Sequence, residues 1–382
     1  MKFHFSFYKI LTAALVSLFF ASCASNESSK DTNNCTVKSI KTIQINSQTT
    51  KKRFRHTQFL SENGVGYFIA YSPDENIINF FNIKTGKKEK TINLLSEGPM
   101  RVSEIRSFEA ISMNRIFALT DRSILKLDGK GNIIAYYSIN TDNSDFHGHN
   151  FVSSHIYSDI MNDTKMIIID TNRLIVALRS NLATNEDPQF YQESKLAVVN
   201  LKEKKITPLN VFYPQQYISE YYPFNKLLLT KNGDDIVYSF SSSTTIYKYN
   251  LVTKKNAEFI LESEDIPSVA PFRGTQYDDA ALKSYISTNS VYLSLTYDNY
   301  SDKYYLFHYG PFPLNISGNE GKRGYLFVTV LDENFKPLST TNLKWDYQRY
   351  GSVFTPDGLM MYKPSNNEDL TDYTFLKFSC DE

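Results

Sequence analysis

Net charge is the first thing this chain lacks: 41 Lys and Arg residues stand against 41 Asp and Glu. Without a net field nothing draws the protein onto a polyanion, and nucleic acid is not an expected partner. Catalytic signatures are missing as well. There is no Gly-x-Ser-x-Gly elbow, no His-Glu-x-x-His, no P-loop and no Gly-x-Gly-x-x-Gly. Nor does the sequence hold a sialidase-type Asp box, a Kelch double glycine or a Trp-Asp repeat. With no nucleophile, metal or acid/base set at recognisable spacing, a non-enzymatic role is expected, with no catalytic residue, metal or cofactor to name. Prolines number 13 and glycines 15, and a single Trp stands beside 27 Tyr and 27 Phe. Aromatic and β-branched side chains suit half-buried pleated surfaces, so the composition leans to sheet. No long amphipathic helix is legible; the best candidate is Asp278–Tyr285, about two turns.

Long hydrophobic runs are absent too. Ile10–Ala21 is uncharged and apolar but falls short of the about 20 residues that a bilayer-crossing helix needs. With Lys2 and Lys9 before it, the run reads as a cleaved signal. It ends in Ala21-Ser22-Cys23, two small residues before a cysteine, which turns a secretory reading into a lipoprotein one. The Cys23 thiol is then expected to take a diacylglycerol and, after cleavage, to hold the protein to a membrane by acyl chains such as palmitate. Residues 24–34 (ASNESSKDTNN) are polar, as a tether should be. The expected organisation is a signal over 1–22, a lipidated tether over 23–34 and one folded domain over 35–382. The expected location is the bacterial cell envelope, as an outer-membrane lipoprotein, with the membrane face left open. Two cysteines remain, Cys35 and Cys380, and in an oxidising compartment leftover cysteines can pair.

What the chain does have is a repeating hairpin. An alternating strand, an Asn or Asp, a short polar turn with Lys or Gly, and a second strand recur at Ile78–Leu94, Ile124–Ile139, Leu196–Val211, Ile246–Leu261 and Leu326–Leu343. Shorter apolar runs precede each: Val65–Tyr71, Ser107–Leu119, Lys165–Leu178, Lys226–Ser239 and Ser290–Tyr297. A sixth unit starts near Val353 and ends with Tyr373–Ser379. The shortest steps between hairpin ends are about 45–50 residues, the length of a four-stranded propeller blade. Extra material is expected near 140–165 and 264–322. An all-β, six-bladed β-propeller follows. Such a ring must close, and Thr36–Asn46 alternates as a strand that can pair with Tyr373–Ser379 and so complete the last blade. That pairing would set Cys35 beside Cys380 and predicts a disulfide between them.

The segment Leu94–Ile139, with Glu97-Gly98-Pro99 after an outer strand and then RIFALTDRSILKLDGKGNIIAYYSI, resembles six-bladed propeller lipoproteins of gut bacteria. They form a domain-of-unknown-function family distantly similar to the NHL-type propellers. The resemblance implies the fold and lipidation; it brings no activity and no catalytic residues.

Candidate ligand contacts are few. Arg101 and Arg106 lie in the connection between the first two blades, where an Arg fork can bind an anionic group or pin the crossover by pairing with Glu97 or Glu104. Tyr221 and Tyr222 belong to an aromatic cluster with Tyr213, Tyr217 and Phe224, suited to stacking on a sugar or peptide and equally to sealing blade interfaces. A second cluster is Tyr297, Tyr300, Tyr304, Tyr305 and Tyr309. His147 and His149, near Asp142, Asp145 and His155, have strand spacing for one cation, but sit in a polar stretch where histidines are commonly solvated. Asp278 with Asp279, or Glu262 with Glu264 and Asp265, are carboxylate pairs more often found as plain surface charge. The expected function is binding of a protein, peptide or glycan ligand at the membrane. A propeller hydrolase or lyase acting on extracellular glycan or peptide, and a structural subunit of an envelope complex, are the alternatives. A cluster of carboxylates, or of His with carboxylates, at the channel mouth would mark the enzyme, a shallow aromatic or neutral rim the binder, and a large exposed apolar patch the subunit.

Overall fold

An Asn or Asp at the end of a strand reverses the chain when its side chain accepts hydrogen bonds from the N–H groups that follow. All five repeated hairpins turn this way. Asn82 Oδ1 accepts from the backbone of Lys84 and Thr85 at 2.9 and 3.3 Å. Asn200 serves Lys202 and Glu203, and Asn250 serves Val252 and Thr253. Asp128 holds Lys130 and Asn132, and Asp332 holds Asn334 and Lys336. In the Asn-headed turns the left-handed residue is Gly86, Lys204 or Lys254; in the Asp-headed ones, one position earlier, it is Gly131 or Phe335. The repeated grammar of the sequence is therefore a turn chemistry.

The computed structural model describes residues 35–45, 54, 56–95, 102, 105–120, 123–138, 149–151, 166–180, 187–274, 278–311, 325–343, 347–363 and 371–380. Blade one is β2 (Thr57–Glu62), β3 (Val65–Ser72), β4 (Ile77–Asn82) and β5 (Lys88–Asn93). Blade two is β6 (Ser107–Ser112), β7 (Arg115–Leu119), β8 (Ser123–Asp128) and β9 (Ile133–Ser138). In blade three the innermost strand is in two pieces, β10 (His149–Phe151) and β11 (Ile167–Ile168). Both pair with β12 (Arg173–Ser180), which is followed by β13 (Leu196–Asn200) and β14 (Lys205–Pro208). Blade four is β15 (Leu227–Asn232), β16 (Asp235–Phe240), β17 (Thr245–Asn250) and β18 (Asn256–Ile260). Blade five is β19 (Val291–Asp298), β20 (Lys303–Tyr309), β21 (Leu326–Leu331) and β22 (Pro337–Asn342). Blade six takes β23 (Gln348–Thr355), β24 (Gly358–Lys363) and β25 (Thr371–Ser379), and its outermost strand is β1 (Thr36–Ile45).

The first strand of the fold thus completes the last blade. Thr36 pairs with Ser379 and Ile45 with Thr371, with one irregularity between Ser39 and Lys41. A disulfide joins Cys35 to Cys380 one residue beyond that pairing, with their Cα atoms 3.9 Å apart. Closure shows equally in the core, which is divided into clusters lying between adjacent blades. Phe68, Phe81, Tyr373 and Phe375 fill the seam between blades six and one, the seam that an open ring would lack. Between blades four and five, Phe335 packs on Phe259 and Tyr304 at 4.7 and 4.8 Å, which offsets its left-handed backbone.

Two helices interrupt the sheets: α1 (Gln215–Ser219) and α2 (Asp279–Thr288). Asp278 caps α2 by accepting from Ala281 N–H at 2.9 Å. Two expectations need correction. The stretch 264–322 is not extra material throughout, because β19 and β20 within it form the inner half of blade five. Ahead of Val65–Tyr71 the structure has a further strand, β2, whose TQFLSE sequence alternates too weakly to stand out. The stretch 140–165 lies outside the described residues apart from β10. Among the described residues no helix is long and apolar enough to cross a membrane.

Candidate functional site

The innermost strand of each blade has a sheet partner on one side only, and its other edge faces the axis of the ring. Such edges carry backbone N–H and C=O groups that need partners. Side chains from neighbouring blades supply several. Gln58 on β2 donates to the Ala110 carbonyl at 3.0 Å and accepts from its N–H at 2.6 Å. Ser107 and Glu109 on β6 accept from Met166 and Ile168 N–H at 3.1 and 2.9 Å. Thr230 on β15 accepts from Tyr297 N–H at 3.0 Å. These bonds clasp blade one to two, two to three, and four to five at the axis.

Between the clasped strands lies a cavity of about 590 Å³ to which all six innermost strands contribute. Its volume falls in the range of about 300–1,000 Å³ usual for small-molecule sites. The wall mixes Phe59, Phe108, Tyr297, Tyr300 and Phe354 with His56, Gln58, Glu109, Thr230, Lys231, Thr296, Asn299 and Ser352. Tyr300, in the β19–β20 turn, is 46% exposed, and its ring meets Phe59 nearly edge-on at 6.2 Å. Blades five and one are not neighbours in the ring, so this contact reaches across the channel.

The turn that carries Tyr300 is built on a buried acid. Asp298 accepts from Tyr300 N–H at 3.0 Å and from the Ser301 hydroxyl at 2.6 Å. Burial raises its carboxyl above the usual range, against the lowering effect of those bonds. Tyr297 donates to Asp302, and its phenol is pushed up to about 12, first by burial and then by that carboxylate. The channel therefore holds neutral phenols at any physiological pH. Glu109 is the one carboxylate among the described lining residues, and it accepts from a backbone N–H. The wall is aromatic and nearly neutral.

The residues singled out from sequence lie elsewhere. Arg106 is buried at the head of β6, 6% exposed. Tyr222 is buried against Tyr217 at 4.6 Å and donates to Glu220 at 3.2 Å, and its phenol is pushed up to about 12 by burial and by Glu220. Tyr221 packs edge-on against Phe272 at 5.7 Å. Tyr213 and Tyr217 continue this cluster onto Phe240 at 4.6 and 5.6 Å, between blades three and four. Asp278 is spent as a helix cap, while Asp279, Glu262, Glu264 and Asp265 are exposed. Arg101, Cys23, Asp142, Asp145, His147 and His155 lie outside the described residues, as does the side chain of His149. Among the described residues no three His, Cys, Asp or Glu side chains gather as a metal site would require. Of the two tyrosine clusters, only the second reaches the channel, through Tyr297 and Tyr300. Sequence reasoning missed Lys231, Thr296, Asn299 and Ser352, because short inner strands far apart in the chain bring them together.

A family model described as a domain of unknown function (DUF4221) matches residues 32–339. A solved member of that family from Bacteroides vulgatus superposes with a TM-score of 0.76 at 17% identity, over 92% of this chain and 100% of the other. A Bacteroides fragilis protein thought to be exported superposes with a TM-score of 0.53 at 11% identity, over 91% of this chain and 95% of the other. At these identities the likeness shows the fold alone. No curated protein matches the chain in sequence.

Proposed function

We propose, from the premise that this chain belongs to the DUF4221 family, that it is a lipid-anchored envelope propeller whose central channel binds a small polar ligand without turning it over. The observation that carries this reading is the channel wall. Exposed aromatic surface stands there beside unspent hydrogen-bonding side chains, in a cavity of about 590 Å³ to which every blade contributes. A neutral aromatic wall suits recognition, whereas acid/base chemistry calls for titratable groups poised against one another. The subunit alternative has less support. Among the described residues the large exposed apolar side chains on strands are Ile40 on β1, Ile111 on β6, Ile134 and Tyr136 on β9, and Ile260 on β18, which belong to three different blades.

The anchor is supported by the apolar run that ends at Ala21-Ser22-Cys23 and by the polar residues after it. Intact-mass analysis of membrane-extracted protein should give a mature chain that begins at a lipid-modified Cys23. A chain beginning elsewhere would refute the anchor. Binding is tested by titrating the full chain in detergent with short glycans and peptides. Saturable binding that Tyr300→Ala weakens by about tenfold, roughly 1.4 kcal/mol, is expected. Turnover of any of them, abolished by Glu109→Gln, would replace the binding reading with an enzymatic one.

A further inference from the structure

We propose that the channel ligand is an acidic sugar, a short saccharide whose carboxylate pairs with Lys231. The inference rests on the reading of the channel as a binding site and names the chemistry of what enters it. Lys231, on β15, is half-buried in the channel wall and has no hydrogen bond or ion pair with any described residue. Three other lysines that are not fully exposed are engaged: Lys41 with Asp357, Lys90 with the Met113 carbonyl and Lys248 with Asp235. An ammonium partly withdrawn from water without a counter-ion gains from any anion brought to it. Glu109, the lone carboxylate among the described lining residues, already accepts from Ile168 N–H. A single lysine balances a single carboxylate, whereas a phosphate dianion calls for further donors such as an Arg fork.

The body of the ligand follows from the remaining groups. Thr57, Thr296, Asn299 and Ser352 come from blades one, five and six and make no side-chain hydrogen bond with any described residue. Hydroxyl and amide groups spread around a wall match a ring that carries hydroxyls around its rim. Tyr300, 46% exposed, and Phe59 offer the flat apolar surface on which a sugar face stacks. An extended acidic peptide fits less well. It would bind by adding a strand, and the inner edges at β6, β11 and β19 are already clasped by Gln58, by Ser107 and Glu109, and by Thr230.

The test is calorimetric titration of the full chain in detergent, at low ionic strength, with galacturonosyl-galactose, which carries one carboxylate, and with neutral digalactose. Fluorotyrosine in place of Tyr300 reports on the channel by fluorine NMR. The expected result is an acid that binds at least roughly tenfold tighter than its neutral counterpart. That preference should shrink with added salt, vanish in Lys231→Met and return in Lys231→Arg. Equal affinity for the two sugars, with the fluorotyrosine responding to both, overturns the acidic-sugar inference and leaves the channel as the site. If neither sugar binds, the inference is overturned. If Lys231→Met binds the acid as tightly as the parent chain does, Lys231 is not its partner and the inference fails.

Discussion

His308 on β20 lies between Phe327, whose ring is parallel to it at 5.1 Å, and Tyr292 at 5.5 Å. It is 2% exposed, and its Nδ1 has no hydrogen-bond partner. Burial pulls its pKa from 6.5 down to about 4, so the folded protein keeps the ring neutral. Between those two values the unfolded chain binds a proton that the folded one refuses. Stability from this residue is therefore complete above about pH 6.5 and falls as the pH drops toward 4, by up to about 3 kcal/mol. Asp298 has the opposite sign: its raised carboxyl favours the fold at low pH and stops doing so as the pH rises through its folded value. Urea unfolding at pH 7 and pH 4.5 should show a smaller acid loss in His308→Phe than in the parent chain. An equal loss in both would mean that His308 titrates normally in the fold. Tyr300 belongs to the same scale, since one turn residue on a buried aspartate sets one wall of the channel.

The turn is the element that organises the chain. Three of the five hairpin turns place a non-glycine residue in the left-handed region, Lys204, Lys254 and Phe335. Phe335 is held there by packing, but Lys254 is exposed and has no such compensation. Lys254→Gly should therefore stabilise the protein by about 1 kcal/mol, read as a higher melting temperature. A lower one would mean that the lysine side chain contributes more than its backbone costs. Gly86 stands at the equivalent place in blade one, and any Cβ there would lie 2.0 Å from the Gln44 carbonyl oxygen of the closing strand. The Asn or Asp that heads each turn is a local signal, so these hairpins were legible in the sequence from Ile78 to Leu343. The short helix at Asp278–Tyr285 was legible too, though not that Asp278 caps it. Inner strands such as β2 and β11 are short and carry no turn signature of their own, and the channel is made of them. Hence Tyr221 and Tyr222, conspicuous in sequence, belong to packing between blades, while Lys231 and Asn299 drew no notice.

At the scale of the whole molecule, the ring is closed by β1 on β25 and fastened by Cys35–Cys380 across 345 residues. The closure was legible because two requirements met at one place: a propeller needs its ends paired, and the two cysteines flank the strands able to do it. In the chain-entropy description, a loop of that size is worth about 6 kcal/mol, less any strain. Cys380→Ser should lower the melting temperature while leaving the far-ultraviolet circular dichroism of the sheet unchanged. Loss of that spectrum would mean that the ring cannot close without the covalent link. Closure matters to the proposed binding role because it fixes the six inner strands around one axis, and with them the groups that face the cavity. Placing the function in that channel, and not in the aromatic cluster between blades three and four, is tested most directly by fluorine NMR of the full chain. Fluorotyrosine would replace Tyr300 in one sample and Tyr221 in another, with galacturonosyl-galactose titrated into each. The resonance at position 300 should shift saturably while that at position 221 stays still; a shift at 221 with none at 300 would contradict the account.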